Sequence, residues 1–279
     1  MIFNLFKKEL TIAKKWAIDG EQIEAQSIRR RIRNAVYGSL IGDIAGTSPT
    51  FTDVQSMLSL PELKELPPFS HALFRSMQNI IMGKEDFAFT EKPENTSVIA
   101  YIVPYIFVHE LTFKEITNLV CRFFSCTGND NIAQLGYALY INILLRLYHY
   151  DDFENAVDIT LETAKESLQG TEYAMSLNQY ECLYSKRIKT LSKNDLKKNK
   201  TTTVPECLQT SLWCCMNNHN LDAVVLAALT LPHKTAAVLS GVMAGLYFRD
   251  DISMFLPKIS FDYNAVIDNF GDYCLKKRS

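Results

Sequence analysis

Glycine is scarce in this chain, with 11 residues in 279. No phosphate-cradling glycine loop is among them, and no G-x-S-x-G nucleophile turn occurs. Long apolar runs are missing too. The longest, Val98 to Val108, falls far short of the about 20 residues a helix needs to cross a bilayer. Charge of one sign is also lacking, since 29 basic and 31 acidic residues leave a formal net charge of -2. That balance gives no electrostatic reason to expect nucleic acid or an anionic membrane as partner. A secretory leader is not evident, because Lys7, Lys8 and Glu9 interrupt the apolar start Met1 to Phe6. The seven cysteines are odd in number and form no C-x-x-C, and none of the five histidines stands at zinc-finger spacing from a cysteine pair. The expectation is reduced thiols in a cytoplasmic protein, with Cys214-Cys215 packed in a core beside Trp213.

What is present is helical periodicity. Apolar residues recur at i, i+3, i+4 from Ile28 to Ile44, Leu73 to Met82, Thr96 to His109, Phe113 to Phe124, Asn131 to Tyr148, Phe153 to Leu168, Val204 to Met216, Leu221 to Leu229 and Thr235 to Phe248. Asp152 and Asn220 stand where N-caps belong. The pattern predicts an all-α, single multi-helix globular domain over residues 27–279, preceded by a charged helical extension over 1–26. No repeat of solenoid period interrupts it. Residues 185–203 carry Lys186, Arg187, Lys189, Lys193, Lys197, Lys198 and Lys200 without a core signal, and read as an exposed basic loop.

Four stretches occur in an informative order. Arg31 to Gly46 places Gly38, Ser39, Gly42, Ala45 and Gly46 on one side of a helix. Each glycine costs up to about 1 kcal/mol there, so a close-packing partner is expected. Asn95-Thr96-Ser97 opens an apolar helix, and Cys126-Thr127-Gly128-Asn129-Asp130 opens another. Val204 to Trp213 leads, through a further helix, to Thr235 to Tyr247. In this order the stretches resemble the ADP-ribosylglycohydrolase family, which includes ADP-ribosyl-arginine hydrolases and dinitrogenase reductase-activating glycohydrolase. The family's first helix reads R-I-x-G-A-x-x-G-x-x-x-G-D-A-x-G and its last core helix T-A-A-I-x-G-A-x-A-G-A-Y. The resemblance spans about Arg29 to Arg249.

The resemblance implies a cleft holding two magnesium ions. Such hard cations need oxygen ligands, mostly carboxylates. The family supplies them from T-D-D-T near the N-terminus and D-T-D-T at the start of the last core helix. The second motif maps onto Leu231-Pro232-His233-Lys234, which has no carboxylate and adds a cation. The first maps either onto Thr52-Asp53-Val54-Gln55, keeping one aspartate, or onto Phe69-Ser70-His71-Ala72, keeping none. The family's T-H-N histidine maps to Gly128, and the segment from Gly83 to Glu94 is short against the family.

Ser70, His71, Leu231, His233 and Lys234 therefore mark a degenerate metal site. No metal, cofactor or catalytic residue is assigned, and magnesium is expected only if hydrolase chemistry survives. Asp43, in the G-D-A-x-G position, is open to a helix-end or a ligand-facing role. Asn95, Ser97, Thr127 and Asn129 are the remaining candidate contacts to ADP-ribose. The resemblance implies a catalytically inactive binding protein, with an ADP-ribosyltransferase toxin as protein partner and this chain as its immunity protein. The extension 1–26 and the basic segment are the expected contact surfaces. The alternatives are a divergent ADP-ribosylhydrolase acting on modified arginine, and a non-hydrolytic ADP-ribose binder.

Overall fold

The computed structural model describes residues 2–47, 65–84, 97–124, 130–149, 152–198, 203–248 and 261–278. Every regular element among them is helical. The chain runs through α1 (Ile2–Thr47), α2 (Pro68–Ile81), α3 (Ser97–Ile102), α4 (Tyr105–Val108), α5 (Phe113–Phe124), α6 (Asn131–Tyr148) and α7 (Phe153–Leu168). It continues through α8 (Tyr173–Leu177), a 3-10 turn (Asn178–Leu183), α9 (Ser185–Thr190), α10 (Lys193–Lys198), α11 (Val204–Met216), α12 (Leu221–Leu229), α13 (Lys234–Tyr247) and α14 (Phe261–Arg278).

The centre of the fold is α1 laid between α13 and α14. Both neighbours run antiparallel to it. Gly38 meets Gly241, Gly42 meets Ala237, and Gly245 meets Asn34, so the two backbones touch along three turns. A Cβ at Gly38, Gly42, Gly241 or Gly245 would collide with a carbonyl group of the facing helix. The small-residue stripe of the first motif and that of the last motif are thus one contact. On the other flank, Arg29 pairs with Asp272 at 2.7 Å and the Tyr37 hydroxyl donates to Asn264.

α6 is the second organising helix. Leu135 to Leu144 is buried without a break. Such a helix is covered on all sides. Its Tyr140 hydroxyl donates to the Leu239 carbonyl of α13 at 2.9 Å. Arg31 locks the other end. Its Nε donates to the Leu246 carbonyl at 3.1 Å, and its Nη2 donates to the Leu147 carbonyl. One buried guanidinium therefore binds the C-terminal turns of both α6 and α13, where helix dipoles favour a cation.

Two expectations change. The single helix foreseen to His109 breaks after Ile102, because Pro104 has no N–H to continue the ladder and α4 restarts beyond it. Residues 2–26 are helical and run on into the rest of α1 as one helix, Ile2 to Thr47.

The basic segment is not a loop. α9 and α10 seat Ile188 and Leu196 in the core, and the Trp213 indole donates to the Leu191 carbonyl at 2.9 Å. Two isolated apolar residues anchor this segment, while the lysines stay outside. Several of the cations are paired, Arg187 with Glu181, Lys189 with Glu154 and Lys198 with Asp195.

Candidate functional site

Three helices begin close together around one cavity of about 390 Å³. Asp130, Ile132 and Ala133 come from the start of α6, Thr203, Val204 and Pro205 from the start of α11, and His233 and Thr235 from the start of α13. Tyr137, Cys207 and Leu239 line it from farther along the same helices, and Gln179 adds a polar group.

Each helix start closes its first turn differently. At α6 the Asp130 carboxylate accepts from the amides of Ile132 and Ala133, at 3.0 and 3.3 Å. At α11, Thr203 and Glu206 form a reciprocal capping box, the Thr203 hydroxyl donating to Glu206 at 2.7 Å. At α13 the N-cap residue is His233, and its side chain makes no cap hydrogen bond.

His233 is 1 % exposed, and neither ring nitrogen has a hydrogen-bond partner among the described residues. Burial holds its pKa below the ordinary imidazole value, with the nearby Glu206 carboxylate partly opposing the shift. The neutral form is therefore favoured. Leu231 is buried two residues earlier. Lys234 is the first residue of α13. The Cys207 thiol is pushed up to about 12 by burial, which leaves it protonated and unreactive. Burial also raises the Tyr137 phenol, and Phe124 stacks on its ring at 4.8 Å.

Asp43 is not among the residues that line the cavity; its carboxylate sits at the start of α2. Its Oδ2 accepts from the Ser70 amide at 2.8 Å and the Ser70 hydroxyl at 2.9 Å, and it also bonds the Phe69 backbone. Burial raises its pKa, and these bonds pull it back. Asp43 thus caps the first turn of a helix distant in sequence. Ser70 is buried by that contact, and His71 is exposed. The same device recurs where Asp158 accepts from the Ser185 amide and hydroxyl, at 2.9 and 2.7 Å.

Ser97 is the first residue of α3. Asn95, Thr127, Asn129 and the segment 52–55 lie outside the described residues. Among the described residues, no group of three or more His, Cys, Asp or Glu is placed to hold a metal ion. The mapped positions among the described residues offer magnesium no carboxylate. Leu231 has no donor atom, His233 offers nitrogen, and Ser70 offers a neutral hydroxyl whose proton goes to Asp43.

Tyr137, Cys207, Asp130 and Thr235 were not singled out by sequence as site residues. The T-x-x-E of Thr203 and Glu206 is a legible helix start, and it would have drawn attention to one wall of the cavity.

No protein-family model matches the sequence, and no curated protein matches it significantly. Among solved structures the chain is similar to one described as an "ADP-ribosylglycohydrolase-related protein complex". The two are 13% identical, with a TM-score of 0.59 over 88% of this chain and 99% of that one. A likeness at that identity establishes the fold, which is the all-α ADP-ribosylglycohydrolase type.

Proposed function

We propose that this chain, which carries the ADP-ribosylglycohydrolase fold, is a binding protein without metal-dependent hydrolase chemistry. The observation that supports this most is His233. Where the resemblance calls for an aspartate, a buried histidine stands at the N-cap position of α13 without a cap hydrogen bond from its ring, with buried Leu231 on one side and Lys234 on the other. A carboxylate at that point would supply hard oxygen donors. A neutral imidazole buried without a partner supplies none. One oxygen of the Asp43 carboxylate accepts from Ser70 at the start of α2.

The same reading carries a biological use. The chain binds an ADP-ribosylating toxin and blocks it, acting as an immunity protein. The support is the resemblance together with an unsuitable donor set, which shifts the scaffold's task from chemistry to recognition. The test is calorimetry of the full-length chain against the ADP-ribosyltransferase encoded beside its gene. A 1:1 complex that lowers transferase activity is the expected result, and no heat of binding would remove the immunity role. Removing residues 1–26 while the complex keeps its affinity would reject only the N-terminal contact.

A second reading, a non-hydrolytic binder of ADP-ribose, is favoured by the cavity at the start of α13. Its size falls within the about 300–1,000 Å³ of small-molecule sites. Titration with ADP-ribose separates the two, because the immunity reading does not require heat from the free ligand.

A further inference from the structure

We propose that residues 2–18 of α1 form a basic amphipathic arm that lies flat on an anionic lipid bilayer, with its apolar arc toward the acyl chains and its lysines at the headgroups. The inference goes beyond the immunity reading and does not depend on it.

The case begins with the order of residues around the helix. At about 100° per residue, Ile2 to Ile18 divides into two arcs. Ten successive positions of one arc, from Ile12 round to Phe3, are apolar except for Glu9, and they include Leu5, Phe6, Leu10 and Trp16. The other arc carries Asn4, Thr11, Ile18 and four lysines. Lys7 and Lys14 stand at one edge of the apolar arc, and Lys8 and Lys15 at the other. The total charge of -2 conceals this local excess of cations.

The second observation is where this stretch lies along α1. Among the residues whose burial is described, Ile28 is the first buried position of α1, and Glu24 and Gln26 before it are exposed. Neither flanking helix continues past that point for long. α13 ends near Asn34, which Gly245 meets, and α14 ends at Arg278, less than two turns beyond the Asp272 that pairs with Arg29. The amphipathic stretch therefore starts beyond the ends of both, and it adds about 25 Å of helix.

The pattern favours a lipid surface over another protein. An arc half the circumference wide exceeds the narrow seam of a coiled coil, which also pairs charges of both signs. A second copy would set lysine rows against lysine rows. Phe, Leu and Trp on one arc, with lysine on the other, mark helices that lie in the membrane interface. Lysine stems cover apolar surface while their ammonium groups stay with water and anionic headgroups. Among the described residues no helix is long and apolar enough to cross a membrane, so the contact is interfacial. Glu9 stands within the apolar arc, and burying its charge opposes insertion.

The test is co-sedimentation of the full-length protein with vesicles of phosphatidylcholine, alone or mixed with phosphatidylserine. Binding to the mixed vesicles only, weakened by salt, is expected. Tryptophan emission should shift to the blue on binding, and Trp16→Phe should remove the shift while sedimentation persists. Replacing Lys7, Lys8, Lys14 and Lys15 together by Gln should weaken binding on the order of a hundredfold or more. Phe6→Glu with Leu10→Glu should abolish it, and Glu9→Gln should tighten it. No sedimentation with the mixed vesicles, equal binding to phosphatidylcholine alone, or unchanged binding in both the lysine and the Phe6/Leu10 variants would overturn the arm's role. So would a dimer or a transferase complex that the Phe6/Leu10 variant dissolves without any vesicle binding, since the arc would then belong to a protein. Vesicle binding and transferase inhibition are separate readouts, so the two readings fail separately.

Discussion

Arg31 holds two helix ends at once. Its guanidinium reaches the Leu246 and Leu147 carbonyls and lies 5.9 Å from the centre of the Tyr148 ring. Removing a buried charged donor leaves those carbonyls without it, so Arg31→Leu should lower unfolding free energy by about 3 kcal/mol or more. Arg31→Lys should fall between, because an ammonium lacks the planar fork that serves two acceptors. Urea unfolding checks both, and an unchanged midpoint in Arg31→Leu would reject the role.

His233 gives a pH signature. Burial lowers its folded pKa, so the unfolded chain binds the proton more readily. Stability is then full above the unfolded value of about 6.5 and declines as pH falls toward the lower folded value. Asp43 has the opposite sign, since its raised folded pKa favours the folded state as acid is added, and it acts in the carboxylate range. Urea midpoints measured between pH 7 and 5 should therefore fall in the parent protein and fall less in His233→Asn. Parallel curves would show that another group controls this window.

The contact of α1 with α13 is where small residues decide the outcome. Alanine exceeds glycine in helix propensity by about 1 kcal/mol. At Gly271 in α14 a new Cβ would find only the Arg29 side chain, at 3.5 Å, an ordinary contact. At Gly241 it would run into the backbone carbonyl of Gly38. Gly271→Ala should thus raise stability by up to about 1 kcal/mol, while Gly241→Ala should lose more than that propensity gain. Thermal melts of the two variants would contradict the packing if both shifted the same way.

That some helix packs closely on α1 was legible in the sequence, because glycines in a helix need a reason; that its partner is the last motif emerged from the structure. The two short helices of residues 185–198 were not legible. Ile188 and Leu196 stand eight positions apart among lysines, and no window holds enough apolar residues to show a period. Pro104 was in view, yet apolar periodicity ran across it and hid the break.

At the scale of the whole molecule, the motifs mark the fold. Arg31, Gly38, Gly42, Asp43, Gly241 and Gly245 all act in packing or capping, so the stretches that carry the resemblance are those that hold the helices together. The cavity could not be read in advance. It is assembled from the starts of three helices far apart in sequence, and its polar walls, Asp130 and Thr203, look locally like ordinary caps. His233 was visible only as a missing aspartate, and its burial without a partner emerged from tertiary packing.

The central claim is that the fold is kept and the hydrolase chemistry is not. Its most direct test is release of ADP-ribose from an ADP-ribosyl-arginine protein by the purified full-length chain, with and without millimolar magnesium. No release above the protein-free background in either condition is the expected result. Magnesium-dependent release that disappears with a chelator would contradict the claim.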